Sequence, residues 1–158
     1  MQTLPFVWHE ETKPLGDLLR LPIRQLIIRM DSIQRPMAVR LLHEGDSGIQ
    51  IKSRMHDVAE RVELGILEFS LRNDTFGTDL ECEPPGGFRA STVEKLVLSE
   101  EGVNAESGIA LKDAFGRELI IVAGAQPYGL AVRVPWNAPR IKVSPEYPLE
   151  RYKRIAMH

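Results

Sequence analysis

The clearest structural signal in the chain is the segment Gly108-Ile109-Ala110-Leu111-Lys112-Asp113-Ala114-Phe115-Gly116-Arg117-Glu118-Leu119-Ile120-Ile121-Val122-Ala123-Gly124. Two apolar runs flank a short polar centre, which is the pattern of a β-hairpin. The Asp113 side chain can close a type I turn, and Gly116 can adopt the left-handed backbone conformation that follows it. The segment therefore predicts strands at 108–112 and 117–123.

Similar alternation predicts further strands on both sides of this hairpin, at 23–30, 37–42, 48–52, 93–99 and 129–134. Residues 55–72 fit both helical and strand spacing. We prefer a strand with a bulge near Gly65, because the apolar positions before and after Gly65 lie on opposite parities. A short helix is predicted between Pro14 and Pro22.

Turn-forming residues predict the remaining organisation. Residues 73–90 contain Glu83-Pro84-Pro85-Gly86-Gly87 and are predicted to be a linker loop. Prolines after position 134 predict an extended C-terminal arm at 135–158.

The chain resembles itself at an offset of 70 residues. The shift superposes Val39 on Ile109, Leu41 on Leu111 and Ile51 on Ile121, and both copies read as a β-meander. The repeats would be 23–71 and 93–134, either by duplication or because unrelated meanders often share spacing. In both cases the two meanders need each other to bury their apolar faces.

We therefore predict an all-β or β-rich fold in one domain, 1–158: a sandwich or a partly open barrel, with a short N-terminal helix and an extended C-terminal arm. The predicted core is formed by Leu26, Ile28, Val39, Leu41, Ile49, Ile51, Leu111, Leu119 and Ile121.

Composition excludes several classes of function. The 158 residues carry a net charge of −2, so overall charge does not favour nucleic-acid binding. The longest apolar run is far shorter than the ~20 residues of a membrane span. One cysteine and no secretory signal pattern predict a cytoplasmic protein, which we expect to be bacterial.

Residues suited to catalysis do not form a recognisable motif. Cys82 lies between Glu81 and Glu83, which disfavour the thiolate, and the sequence contains neither a Gly-x-Ser-x-Gly motif nor a phosphate-binding glycine loop. We predict a protein without enzymatic activity and without a cofactor.

One alternative is a metal site at His56 and Glu60, which would share a face if they lay on a helix. Pro127-Tyr128-Gly129 resembles the Pro-x-Gly of the second cupin motif, although Val132 stands where cupins have a histidine. This resemblance implies a cupin-like barrel that binds a small molecule or acts on one with a metal.

Charge is unevenly distributed along the chain: residues 1–61 carry +1, residues 62–118 carry −7 and residues 119–158 carry +4. The acidic residues around the proline-glycine loop predict a surface that attracts a basic protein; they are Asp74, Asp79, Glu81 and Glu83. Alternatively, the basic tail with Arg151, Lys153 and Arg154 folds back onto this segment.

Two aromatic residues, Tyr128 and Trp136, fall in predicted turns, where they are either interface anchors or lids over the core. Together these observations predict a small binding or regulatory protein, such as an immunity-type protein, that meets a protein partner through its acidic loop. The sequence leaves the oligomeric state open.

Overall fold

A computed structural model describes residues 1–10, 12–43, 47–59, 62–72, 78–125, 128–136 and 145–158. Strands dominate this part of the chain, together with one short helix, α1 (Leu15–Leu19), and a 3-10 turn at Leu149–Arg151. The strands are β1 (Gln2–Leu4), β2 (Val7–Trp8), β3 (Ile23–Met30), β4 (Pro36–His43), β5 (Gly48–Ala59), β6 (Val62–Ser70), β7 (Thr78–Cys82), β8 (Thr92–Glu100), β9 (Val103–Lys112), β10 (Glu118–Ala123), β11 (Leu130–Arg133) and β12 (Lys153–Ala156).

The strands form two sheets. The N-terminal sheet has the order β2-β6-β5-β4-β3-β7, and the C-terminal sheet has the order β11-β10-β9-β8-β12, with β1 parallel to β9. Apolar side chains of both sheets meet in one large cluster, which includes Leu41, Phe69 and Ile121. The predicted β-sandwich is thus confirmed.

Each predicted meander forms the centre of one sheet. β3 to β6 lie in the N-terminal sheet, β8 to β11 lie in the C-terminal sheet, and the two sheets have the same strand order. In each sheet one more strand, β7 or β12, joins the edge beside the first strand of the meander. The two sheets therefore have the same arrangement of strands.

The core prediction is confirmed at all nine positions, each of which is fully buried. A second apolar cluster lies on the opposite face of the C-terminal sheet and includes Leu98, Ile120 and Tyr152. Both faces of this sheet are covered, which explains why β9 is buried over most of its length and why β10 is almost continuously apolar.

The bulge predicted near Gly65 is wrong. β5 and β6 pair in continuous register through Gly65, and their register shifts only between Asp57 and Ala59. Both parities are apolar because Leu64 contributes to the second cluster whereas Leu67 contributes to the first. Between β6 and β9, the Ser107 hydroxyl donates a hydrogen bond of 2.5 Å to the Gly65 carbonyl.

Two segments without predicted strands contain them. The predicted loop at 73–90 includes β7, which pairs with β3 from Leu26 to Met30. The predicted C-terminal arm includes β12, which pairs with β8 from Glu94 to Val97. Both strands gain their hydrogen bonds from a distant part of the chain.

The hairpin between β9 and β10 has the predicted turn. The Asp113 carboxylate accepts hydrogen bonds from the backbone N–H groups of Phe115 and Arg117, and Gly116 has a φ of 83°. The β3–β4 hairpin has the same design, with Asp31 bonded to the N–H groups of Ile33 and Arg35. Each aspartate also forms a salt bridge with the arginine four residues later.

Candidate functional site

The acidic surface predicted from the sequence lies along an edge strand. Within the described residues, β7 pairs only with β3, so its other edge carries no strand. Leu80 and Cys82 face the first cluster, whereas Asp79, Glu81 and the following Glu83 are exposed. Asp74 lies outside the described residues. We call Thr78–Cys82 and Glu83 the acidic edge.

The three carboxylates of the acidic edge differ in their partners. Asp79 accepts two hydrogen bonds from the Arg29 guanidinium, at 2.7 Å and 3.2 Å. Glu81 and Glu83 form no ion pair with a described residue. The negative charge available to a partner is therefore that of Glu81 and Glu83.

The Pro-Pro-Gly-Gly loop beside Glu83 is held in place. Arg117 donates hydrogen bonds to the carbonyl groups of Pro85 and Gly87, and its guanidinium lies 5.9 Å from the centre of the Phe88 ring. Gly86 has a φ of 72°, which favours glycine. The acidic edge thus continues into a loop that is anchored to the neighbouring hairpin.

The basic tail folds back onto other acidic residues. Arg154 forms salt bridges with Glu118 at 2.6 Å and with Glu94 at 3.4 Å, and Arg151 forms one with Glu100 at 2.6 Å. The Arg154 hydrogen bonds hold the pKa of Glu118 below its usual value, although burial opposes this shift. The tail neutralises part of the acidic segment but does not pair with Glu81 or Glu83.

Tyr128 and Trp136 lie at opposite ends of β11, so they do not form one aromatic patch. Tyr128 is 59% exposed in the turn after β10, with a φ of 62°. Trp136 is half-buried and packs against Phe88 with ring centres 6.2 Å apart, as a lid over the core would. Its indole N–H is buried without a hydrogen-bond partner among the described residues.

The alternative metal site lies only partly within the described residues. His56 lies in β5, opposite Leu64, rather than on a helix, and Glu60 lies outside the described residues. The described residues contain no cluster of three or more potential metal-binding side chains.

Cys82 is buried in the core, and this burial raises the pKa of its thiol. The sequence predicts the same direction from the neighbouring glutamates, but the cause in the structure is loss of hydration. A thiol in this environment is a poor nucleophile.

The sequence did not predict a groove at the end of the sandwich beside the proline-glycine loop. Its volume is about 650 Å³, and it lies between Gly86–Arg89, Pro22–Arg24 and the Asp113–Arg117 hairpin. Phe115 stands at its margin and is 87% exposed. The sequence feature that could have indicated this groove is Phe115, a bulky apolar residue in a predicted turn.

A second concavity of about 740 Å³ lies on the outer face of the N-terminal sheet. It is polar, and its Glu68 carboxylate bonds both His9, at 2.9 Å, and Arg54, at 2.6 Å. The sequence did not predict this pairing, because His9 and Glu68 are brought together by the parallel pairing of β2 with β6.

Comparison with protein-family models, curated proteins and solved structures gives no match for this chain. In the described part of the chain, no helix has the length and apolar character that crossing a membrane requires.

Proposed function

We propose that this protein is a non-catalytic binding protein whose acidic edge receives a basic, extended segment of a partner protein. The observation that carries the proposal is the position of Glu81 on an edge strand, with Glu83 directly after it. An edge strand offers N–H and C=O groups to a further strand, which is the basis of β-augmentation. The alternating carboxylates, about 7 Å apart, would select basic side chains at every second position of that strand.

The charge of the acidic edge supports selectivity. Copies of this chain bring like charges together if their β7 strands meet, which disfavours self-association along this edge. A segment rich in lysine or arginine instead gains long-range attraction, so its association should be fast at low salt and slower at high salt.

The rigidity of the neighbouring loop also supports the proposal. Arg117 holds Pro85 and Gly87, so the surface beside Glu83 is formed before a partner arrives. A preorganised surface loses less conformational entropy on binding than a mobile loop.

The experiment compares three immobilised baits against a native lysate, with bound proteins quantified by mass spectrometry. The baits are wild type, Glu81→Lys/Glu83→Lys, and the control Glu101→Lys/Glu150→Lys, which makes the same charge change at exposed positions elsewhere. We expect a basic protein on wild type and on the control, with at least a tenfold loss on the edge variant. Equal capture by all three baits would refute the proposal.

A further inference from the structure

The groove at the end of the sandwich has the properties of a binding site. Its volume of about 650 Å³ falls within the roughly 300–1,000 Å³ that is usual for ligand sites. Ile23 and Phe88 are buried beside it, and Pro22, Ala114 and Phe115 add further apolar surface. Such a lining is suited to an apolar side chain.

Phe115 is presented rigidly rather than on a mobile tip. The Asp113 carboxylate accepts the Phe115 N–H at 3.0 Å and binds the Arg117 guanidinium at 2.6 Å. Arg117 in turn bonds the loop on the other side of the groove. An exposed aromatic residue that is already ordered is typical of the few side chains that contribute most to an interface.

The charged side chains that line the groove indicate which kind of partner it favours. Three arginines line the groove, Arg24, Arg89 and Arg117. Arg117 pairs with Asp113, and Arg24 donates a hydrogen bond to the His43 carbonyl. Arg89 is exposed and forms no ion pair with a described residue. The groove therefore favours negative charge. Two copies that met through this surface would bring like charges together, so it is unsuited to a symmetric dimer.

We propose that this groove docks an acidic segment of a partner protein, which inserts an apolar side chain beside Phe115 and places a carboxylate against Arg89. The groove is opposite in charge to the acidic edge. This proposal does not depend on the proposed function, and the two can be tested separately. The protein thus has two docking surfaces of opposite sign.

The sister hairpin of β3 and β4 supplies a matched control. Ile33 is at the position equivalent to Phe115, is 68% exposed, and is held by the same aspartate–arginine arrangement. The variant Ile33→Ser/Arg133→Glu therefore changes the surface as much as Phe115→Ser/Arg89→Glu does, at positions outside the groove.

The experiment pans a phage library of random 12-residue peptides on the wild-type protein and measures the enriched peptides by fluorescence anisotropy. We expect one class with aspartate or glutamate beside leucine, phenylalanine or tryptophan. Its affinity should fall about tenfold or more on Phe115→Ser/Arg89→Glu and remain unchanged on the control. Chemical-shift changes on the wild type should include Phe88 and Phe115, and Arg89→Glu alone should weaken binding if the double variant folds poorly.

Three results would overturn this inference. The first is the absence of an acidic, apolar class, or equal binding of that class by both double variants. The second is a concentration-dependent dimer of the wild type that Phe115→Ser abolishes, which would assign the groove to a second copy. The third is Phe115-dependent sedimentation with phosphatidylserine vesicles, which would assign it to a lipid surface. Basic peptides that bind the acidic edge would support the proposed function alone.

Discussion

Gln34 and Gly116 occupy the same position in two matching hairpin turns, and both have left-handed backbone conformations, with φ of 61° and 83°. Each residue donates its N–H to the carbonyl of the turn aspartate, Gln34 to Asp31 at 3.0 Å and Gly116 to Asp113 at 3.2 Å. The turns thus share one geometry, but only the second has the residue type that this geometry favours.

Replacing Gln34 by glycine should stabilise the protein. Glycine removes the steric strain of a side chain at positive φ, and this gain exceeds the cost of the entropy that glycine adds to the unfolded chain. We expect the free energy of unfolding to rise by about 0.5–1 kcal/mol, the difference between the strain removed and the entropy added. Chemical denaturation measures this change, and a lower midpoint for Gln34→Gly would contradict the matched-turn description.

Replacing Gly116 by valine should have the opposite effect. No atom lies within 4 Å of the Cβ position, so the cost comes from the backbone conformation and not from a clash. We expect a loss of about 1–3 kcal/mol. Ala114→Val, in the same turn but at a position without positive φ, is the control and should change stability little. Equal melting temperatures for the two variants would show that the turn tolerates both.

Truncating Ile121 should destabilise the sandwich strongly. Its side chain is fully buried between the sheets, in the cluster to which both sheets contribute. Ile121→Ala should cost about 2–5 kcal/mol. Ile155→Ala removes the same atoms from the exposed strand β12 and should cost much less. Similar losses for both variants would contradict the assignment of the inner face.

His43 should make stability depend on pH. Its side chain is buried and its Nε2 atom has no hydrogen-bond partner among the described residues. Burial lowers the pKa of His43 below the ordinary value of 6.5, so the unfolded chain takes up this proton first. Between the two pKa values the unfolded state binds more protons, and stability therefore falls as pH falls below about 7.

The variant His43→Gln isolates this effect. Burial raises the pKa of Glu146, which acts in the opposite direction, but Glu146 is present in both proteins. We expect the wild type to lose more stability than His43→Gln between pH 7 and pH 5, as measured by urea unfolding. Parallel curves over this range would show that His43 does not titrate differently in the two states.

Sequence patterns predicted the strands in which apolar residues recur at every second position. Alternation at Val39-x-Leu41 and Ile49-x-Ile51 identified the buried face, because successive side chains in a strand point to opposite faces of the sheet. β7 escaped prediction because Asp79 and Glu81 have low strand propensity, and the strand exists through its pairing with β3. β1 and β2 also escaped it, because they are only three and two residues long and pair with strands far along the chain.

The sequence predicted which residues form the acidic surface, but it did not predict which distant side chains form ion pairs. The composition around Cys82 indicated an exposed acidic surface, and Glu81 and Glu83 are exposed. The pairing of Asp79 with Arg29 joins residues 50 positions apart, and that of Arg154 with Glu118 joins residues 36 apart. Such pairs depend on strand order, which local patterns do not encode.

Residue-resolved amide hydrogen exchange on β7, with and without the partner captured by the wild-type bait, tests whether the acidic edge is the docking surface. If a partner strand is added there, alternate N–H groups between Thr78 and Cys82 that do not bond β3 should exchange much more slowly in the complex. The Glu81→Lys/Glu83→Lys variant should show no such slowing. Unchanged exchange along β7, with new protection on another surface of the bound protein, would contradict this account.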